Sequence, residues 1–326
     1  MTIAARYGGS RPRVFGRFAR ALALLASLLA GSAVQVAGAA ESGAVAMPQG
    51  TALDHSDGAP LKVVTLNLAH GRKDAINQLL VSRASVEQNL AEIAELLRKV
   101  GADVVALQEA DGPSRWSGGF DHVERLASQA GYPWYFRSSH ARTWLFDYGT
   151  ALLSRLPFTE EVGAAFEPTP PSMTKGLSIG RVTWRPSDNS PPVPVDIVSV
   201  HLDFSRESVR NHQMQQMAEI LDRRVGPLIV LGDFNSDWFD EASVVAEFAH
   251  RCGMQAYAPS HDGLGTYRSN GRRLDWVLIS SELEFLDHRV MPQVVSDHQA
   301  VVAVIGLRGE AVLMGPGGHA RARCST

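Results

Sequence analysis

An apolar run, Leu228-Ile-Val-Leu231, delivers Asp233 and Asn235 to a turn, two positions apart around Phe234. Alternate residues of an extended chain share a face, so the carboxylate and the amide are expected to aim at one ligand while Phe234 enters the protein. Alone, such an Asp-x-Asn would serve as turn or helix-cap residues. Here it is accompanied. Val63-Val-Thr-Leu66 leads to Asn67, Val104-Val-Ala-Leu107 to Gln108 and Glu109, and Val198-Ser-Val200 to His201. Asp275 sits inside the alternating run Arg273 to Ile279, and Ser296-Asp-His298 shortly precedes Ala300-Val-Val-Ala-Val-Ile305. Strand-like segments that repeatedly end in acids, amides and imidazoles describe a dispersed site able to orient a ligand and move protons around it.

Seven motifs then stand in order: Thr65-Leu-Asn67, Leu107-Gln-Glu109, Gly149-Thr-Ala-Leu-Leu-Ser-Arg155, Ser199-Val-His-Leu-Asp203, Gly232-Asp-Phe-Asn235, Arg273-Leu-Asp275 and Ser296-Asp-His298. As a set, spanning Leu61 to Leu307, they resemble the endonuclease/exonuclease/phosphatase superfamily of metal-dependent phosphoesterases. The resemblance implies an α/β fold, a deoxyribonuclease-like four-layer sandwich of two packed mixed β-sheets flanked by helices, with the site at one edge. It also implies hydrolysis of a phosphate ester with Mg²⁺ or Mn²⁺, most readily of a phosphodiester. A phosphomonoesterase, or a binding protein that keeps the fold without turnover, is the alternative.

Roles follow from the resemblance and from side-chain chemistry. Glu109 is the expected metal ligand, a hard carboxylate suited to Mg²⁺ or Mn²⁺. Asn67 is its neutral partner, and Asp297 is implied to join the metal shell. His298 is expected to be the general base, with Asp275 holding its other ring nitrogen. Asp233 and Asn235 would orient the nucleophile and stabilise charge in the transition state. His201 would donate to a phosphate oxygen or protonate the leaving group. Arg72 either contacts a substrate phosphate or lies on the rim. Ala69 and His201 stand where abasic-site endonucleases carry an acid and a Tyr, which sets that subfamily aside. His122, His140, His212, His261 and His288 are assigned structural or exposed positions, and Trp116, Trp134, Trp144 and Phe146 packing roles.

The elements that must position these groups are partly visible. Ser85-x-x-Gln88 has capping-box form, Val86, Leu90, Ile93, Leu97 and Val100 keep helical spacing, and Gly101 ends the run. Further helices are expected over 208–224 and 241–252. Residues 61–308 read as one catalytic domain, preceded by a linker over 41–60 and followed by a tail over 309–326. Five Arg ahead of Ala21-Leu-Ala-Leu-Leu-Ala-Ser-Leu-Leu-Ala30, and small residues up to Ala40, read as a secretory signal peptide over 1–40, so a periplasmic or secreted protein is expected. Without that segment, 26 basic residues face 34 acidic ones, a formal charge of −8. The balance argues against a broad basic face gripping polyanions. The expected partner is the phosphate-ester substrate; no stable protein partner and no transmembrane segment in the mature chain are inferred. Cys252 and Cys324 lack zinc-site spacing and could pair or remain separate.

Overall fold

The alternation within the apolar runs decides the layering. In β2 (Leu61–Asn67), Leu61 and Val63 enter one buried cluster while Val64 and Leu66 enter another, as opposite faces of a strand require. β9 (Leu228–Asp233) divides in the same way: Ile229 and Leu231 join Leu61 and Val63, whereas Leu228 and Val230 face a third cluster. The shared cluster is the interior between two sheets, and the other two lie beneath helices. This computed structural model describes residues 40–45, 58–75, 77–309 and 324. The expected signal peptide apart from Ala40, most of the expected linker and most of the expected tail lie outside the described residues.

One sheet contains β1 (Ala40–Ala44), β2, β3 (Val104–Asp111), β4 (Trp134–Arg142), β5 (Asp147–Ser154), β12 (Leu283–Val290) and β13 (Val301–Leu307), in the order β1-β4-β5-β3-β2-β13-β12. The other contains β6 (Phe158–Ala165), β7 (Gly176–Trp184), β8 (Val193–His201), β9, β10 (Gln255–Ala256) and β11 (Asp275–Ile279), in the order β10-β11-β9-β8-β7-β6. Both are mixed: β2 runs parallel to β3 and β8 to β9, while the other pairs are antiparallel. Helices α1 (Arg83–Val100) and α2 (His122–Ala130) cover the first sheet; α3 (Glu207–Leu221) and α4 (Val244–Arg251) cover the second. The expected four-layer sandwich is therefore present. Each fully buried Leu, Ile or Val of its interior contributes about 1.5–3 kcal/mol, so a charged substitution at Val63 or Leu231 would break it.

The helices differ from expectation at their ends. The N-cap of α1 is Ser82 rather than Ser85: the Ser85 amide donates to Ser82 Oγ at 3.1 Å, so the first turn begins earlier than the capping-box spelling suggests. Gly101 stops the helix with φ +64°, the left-handed conformation in which glycine carries no Cβ penalty. α3 begins one residue before its expected span and ends at Leu221, short of 224, while α4 falls inside its span, capped by Ser243. α2 was not expected. At nine residues it is too short for its buried Val123, Leu126, Ala127 and Ala130 to stand out as a period, and its start is set by Asp121 accepting from the Val123 and Glu124 amides.

Two segments outside the expected domain contribute to it. Ala40, the last residue of the expected signal peptide, and residues 41–44, expected to begin a linker, form an edge strand on β4, with Ala40 opposite Ser138 and Ala44 opposite Trp134. A buried charge explains the attachment. Arg137 is wholly buried and takes Glu41 of β1 as an ion partner at 2.5 Å, with Asp147 at 3.2 Å and Asp121 at 3.3 Å, as an interior guanidinium must be paired. At the other end, Cys324 forms a disulfide with Cys252, so the two thiols do pair. Among the described residues, no helix is long and apolar enough to cross a membrane.

Candidate active site

The interior face of both sheets changes from apolar to polar at one edge, two residues at a time. Along β2 it runs Leu61, Val63, Thr65, Asn67; along β8, Ile197, Ser199, His201; along β9, Ile229, Leu231, Asp233; and along β11, Ile279, Val277, Asp275. Thr65, Gln108 and Ser199 form the transition. Thr65 Oγ1 donates to Gln108 Oε1, Gln108 Nε2 donates across the sheets to Ser199 Oγ at 3.0 Å, and Ser199 Oγ donates to the Leu107 carbonyl. Register then aligns the chemistry, because Asp233 is paired with His201 on one side and with Asp275 on the other.

Departures from regular strand geometry finish the site. The β3–β5 register shifts between Gln108 and Ala110, and the extra residue, Glu109, has φ +48°. Such a bulge re-aims a side chain that alternation would send elsewhere. Gly232 has φ +151°, and a Cβ there would lie 2.0 Å from the Val200 carbonyl oxygen of the adjoining strand, so the motif needs glycine at that position. Asp233 and Asn235 both line the cleft while Phe234 is fully buried, yet they do so by a turn and not by continued extension. Asn235 has φ +50°; its amide donates to Asp233 Oδ1 at 2.9 Å and its Nδ2 donates to the Leu202 carbonyl at 3.0 Å.

Asp233 Oδ2 is the centre of the arrangement. Asn67 Nδ2 donates to it at 3.0 Å, and His201 Nε2 and His298 Nε2 lie 3.7 and 3.8 Å away. His298 Nδ1 and Asp275 Oδ2 are hydrogen-bonded at 2.7 Å, and Tyr267 packs its ring 4.9 Å from the imidazole. Burial raises the Asp233 pKa to about 7; His298 opposes the rise and Asp275 adds to it. Burial works against the His298 cation, but Asp275 and Asp233 outweigh it and bring its pKa up to about 10. His201 behaves oppositely: burial and the nearby Lys175, whose Nζ is 3.2 Å from Nε2, hold it well below the ordinary imidazole range. The site thus offers a cationic and a neutral imidazole on either side of a carboxylate poised near neutrality.

Opposite lies Glu109. Burial raises its pKa, but His70, Lys175, His201 and Arg72 together overcome this and keep it ionised. His70 and Lys175 were not among the expected site residues, nor was Asp111, which is hydrogen-bonded to His70 Nδ1 at 2.8 Å. The one sequence signal for His70 is that it stands two residues before Arg72, across Gly71. Lys175, a single residue between Thr174 and Gly176, carries no sequence signal at all. Arg72 lines the cleft, with Nη2 donating to Asp297 Oδ2 at 3.0 Å and Nη1 to the Ala75 carbonyl at 3.1 Å. Asn67, Arg72, Glu109, His201, Asp233, Asn235, Asp297 and His298 line one cleft of about 400 Å³, with Phe204, Tyr267, Asn270 and Arg272 at its walls. Asp275 stands fully buried behind His298. Of the aromatic residues assigned packing roles, Phe146 is buried and Trp144 is exposed. His140, assigned a structural position, is buried against Thr150.

The donor set lining the cleft fits a hard divalent cation: Glu109 and Asp297 present carboxylate oxygen, the ligand type Mg²⁺ and Mn²⁺ prefer, and Asn67 Oδ1, which accepts from the Ala69 amide at 3.0 Å, keeps a second lone pair that could join them. Asp233, Asp275 and His298 also bring ligand atoms within 4.8 Å of one another. There, however, His298 Nδ1 and Asp275 Oδ2 already bind each other, and would have to part before either could ligate.

Comparison with known proteins agrees with the geometry. The family model described as "Endonuclease/Exonuclease/phosphatase family" matches residues 64–298. No curated protein matches the chain. Among solved structures, an endonuclease/exonuclease/phosphatase from Beutenbergia cavernae superposes with TM-score 0.57 at 20% identity, covering 76% of this chain and 72% of that one. The mannosyl-6-phosphatase of Bacteroides thetaiotaomicron gives TM-score 0.53 at 14% identity, covering 75% and 99%. D. rerio TDP2 complexed with a single-strand DNA product gives TM-score 0.55 at 17% identity, covering 76% and 98%. At these identities the superpositions establish a shared fold. The family match extends from β2 to His298 and takes in every strand that contributes to the cleft: this chain belongs to the endonuclease/exonuclease/phosphatase family.

Proposed function

We propose that this chain is a periplasmic or secreted phosphodiesterase that depends on Mg²⁺ or Mn²⁺. The observation that carries the reading is the placement of Asp233 Oδ2 between Asn67, His201 and His298, with His298 anchored by Asp275. A divalent cation held by Glu109, with Asn67 and Asp297 beside it, would supply positive charge to the phosphoryl oxygens and make water easier to deprotonate.

The electrostatics favour a different division of labour from the one expected above. An imidazole that already holds its proton is a poor base, whereas a carboxylate titrating near 7 is suited to accept one. Asp233 Oδ2 therefore takes the proton of the attacking water, whose oxygen forms the new bond to phosphorus as the bond to the leaving alkoxide breaks. His298, cationic and fixed by Asp275, donates its Nε2 proton in a hydrogen bond to the charge that builds on the phosphoryl group. His201 is neutral and contributes a hydrogen bond, not a proton. Asn235 lines the same wall and completes the polar contacts.

The cleft supports a small ester over a long polyanion. Arg72 is paired with Asp297, and Arg272 donates to both oxygens of Asp240, so neither guanidinium is free to track a phosphate backbone. The deciding experiment is a panel of bis-p-nitrophenyl phosphate, p-nitrophenyl phosphate, DNA, RNA, sphingomyelin and sugar phosphates, with Mg²⁺ or Mn²⁺ and with EDTA. Metal-dependent turnover, fastest on a diester, is expected. Preference for the monoesters would move the chain toward phosphatases such as its structural neighbour from Bacteroides, and no turnover on any ester would sink the proposal.

A further inference from the structure

The reaction above leaves His70 without a task, although its placement is tightly specified. The residue has φ +54° and ψ +22°, a left-handed conformation that a non-glycine residue adopts only where its surroundings impose it. Its ring stands edge-on to Tyr148 and Trp116, with centroids 5.0 and 5.6 Å away. Nδ1 is bound by Asp111 Oδ1 at 2.8 Å, and Nε2 lies 3.2 Å from Glu109 Oε2. Asp111 is itself fully buried. Glu109 lines the cleft and His70 does not, so the imidazole approaches the carboxylate from the protein side and faces one of its two oxygens.

Resting on the reading of Glu109 as a metal ligand, we propose that His70, braced by Asp111, is a positioning residue that limits Glu109 to one-oxygen coordination and so makes the site prefer a small cation to a large one. The two cations differ in what they require. Mg²⁺ takes near-ideal octahedral geometry with single carboxylate oxygens and several waters, whereas Ca²⁺ accepts one or both oxygens of a carboxylate in a looser shell. A partner behind a ligating group fixes its orientation, and losing such partners typically lowers metal affinity by about 10–100-fold. With its second oxygen released, Glu109 could rotate to offer both, which would assist Ca²⁺ more than Mg²⁺.

The test is calorimetric titration of the full chain with Mg²⁺ and, separately, with Ca²⁺. The informative variant is His70→Asn. Asparagine tolerates the left-handed backbone, and its amide can keep a contact with Asp111, but it has no atom in place of Nε2. Removing a charge near the site alters attraction for both dications alike, so the ratio of affinities isolates ligand geometry from electrostatics. The expected result is a Mg²⁺-to-Ca²⁺ affinity ratio lowered by about tenfold or more, with the same direction of change in Asp111→Ala, which leaves His70 present but takes away its Nδ1 partner. Should His70→Asn fail to fold by circular dichroism, Asp111→Ala decides. An unchanged ratio in the folded variants overturns the inference while leaving the phosphoesterase reading in place. Wild-type protein that turns over phosphate esters but binds neither cation would overturn Glu109 as a ligand and this inference with it.

Discussion

Asp275→Asn separates the two possible roles of His298 by the sign of a pH effect. The substitution keeps an acceptor for the His298 Nδ1 proton but removes the charge that most favours the imidazolium. In the native site, burial opposes that cation while Asp275 and Asp233 raise its pKa to about 10. If the variant let it return to the ordinary value of about 6.5, the cationic fraction at pH 8 would fall from about 99% to about 3%, a loss of about 30-fold. At pH 6 the imidazole is mostly protonated in either case, and the loss should be less than about twofold. Initial rates of bis-p-nitrophenyl phosphate hydrolysis with saturating Mg²⁺, measured from pH 5.5 to 10.5, provide the comparison. Wild type should show a rising limb near 7, set by Asp233, and a falling limb near 10; the variant's falling limb should move down by several pH units. If His298 were instead the base, wild-type activity would climb to about pH 10, and the variant would gain on wild type at pH 8. Such a gain, or a loss equal at pH 6 and pH 8, would refute the assignment.

Three further outcomes are expected. Glu109→Gln should weaken Mg²⁺ binding and regain much of its rate at high Mg²⁺, whereas His298→Ala should lose about 10²–10³ in kcat with no recovery in the same titration. Asp233 has a folded-state pKa of about 7 against an ordinary 3.8, so its contribution to stability is fully present below pH 3.8 and is lost as pH rises through 7. In EDTA, Asp233→Asn should therefore gain on wild type in thermal melts between pH 4 and pH 8, by at most about 4 kcal/mol, while losing activity; a constant difference across that range would contradict the electrostatics. Cys252 and Cys324 are 72 residues apart in sequence, so Cys324→Ser should lower the free energy of unfolding by up to about 4 kcal/mol in denaturant titration, with little change in kcat.

What the sequence reveals and what it hides divide along the same physical line. The β-strands are legible because period-two alternation, needed to fill the interior with Val63, Ile229, Leu231 and Val277, is the same alternation that carries Asn67, Asp233 and Asp275 onto one edge. α1 is legible because its length lets a helical stripe repeat five times, while α2 is too short for that. β1 is hidden for another reason: Ala-Glu-Ser-Gly-Ala has no apolar face, and its place depends on Arg137, nearly a hundred residues away, needing Glu41. The chemistry is least legible where the backbone is least regular. Among the described residues, six that are not glycine have positive φ, and Ala69, His70, Glu109 and Asn235 are four of them. Each such conformation costs about 1–3 kcal/mol unless surrounding contacts impose it. A reading based on local preference continues β3 straight through Glu109 and β9 straight through Asn235, which sends the Glu109 side chain to the wrong face and brings Asn235 to the right one by the wrong backbone path. The bulge that turns Glu109 into the cleft also brings its carboxylate against His70, so the feature that alternation could not foresee is also the one that ties the metal side of the site to a partner the motifs did not name.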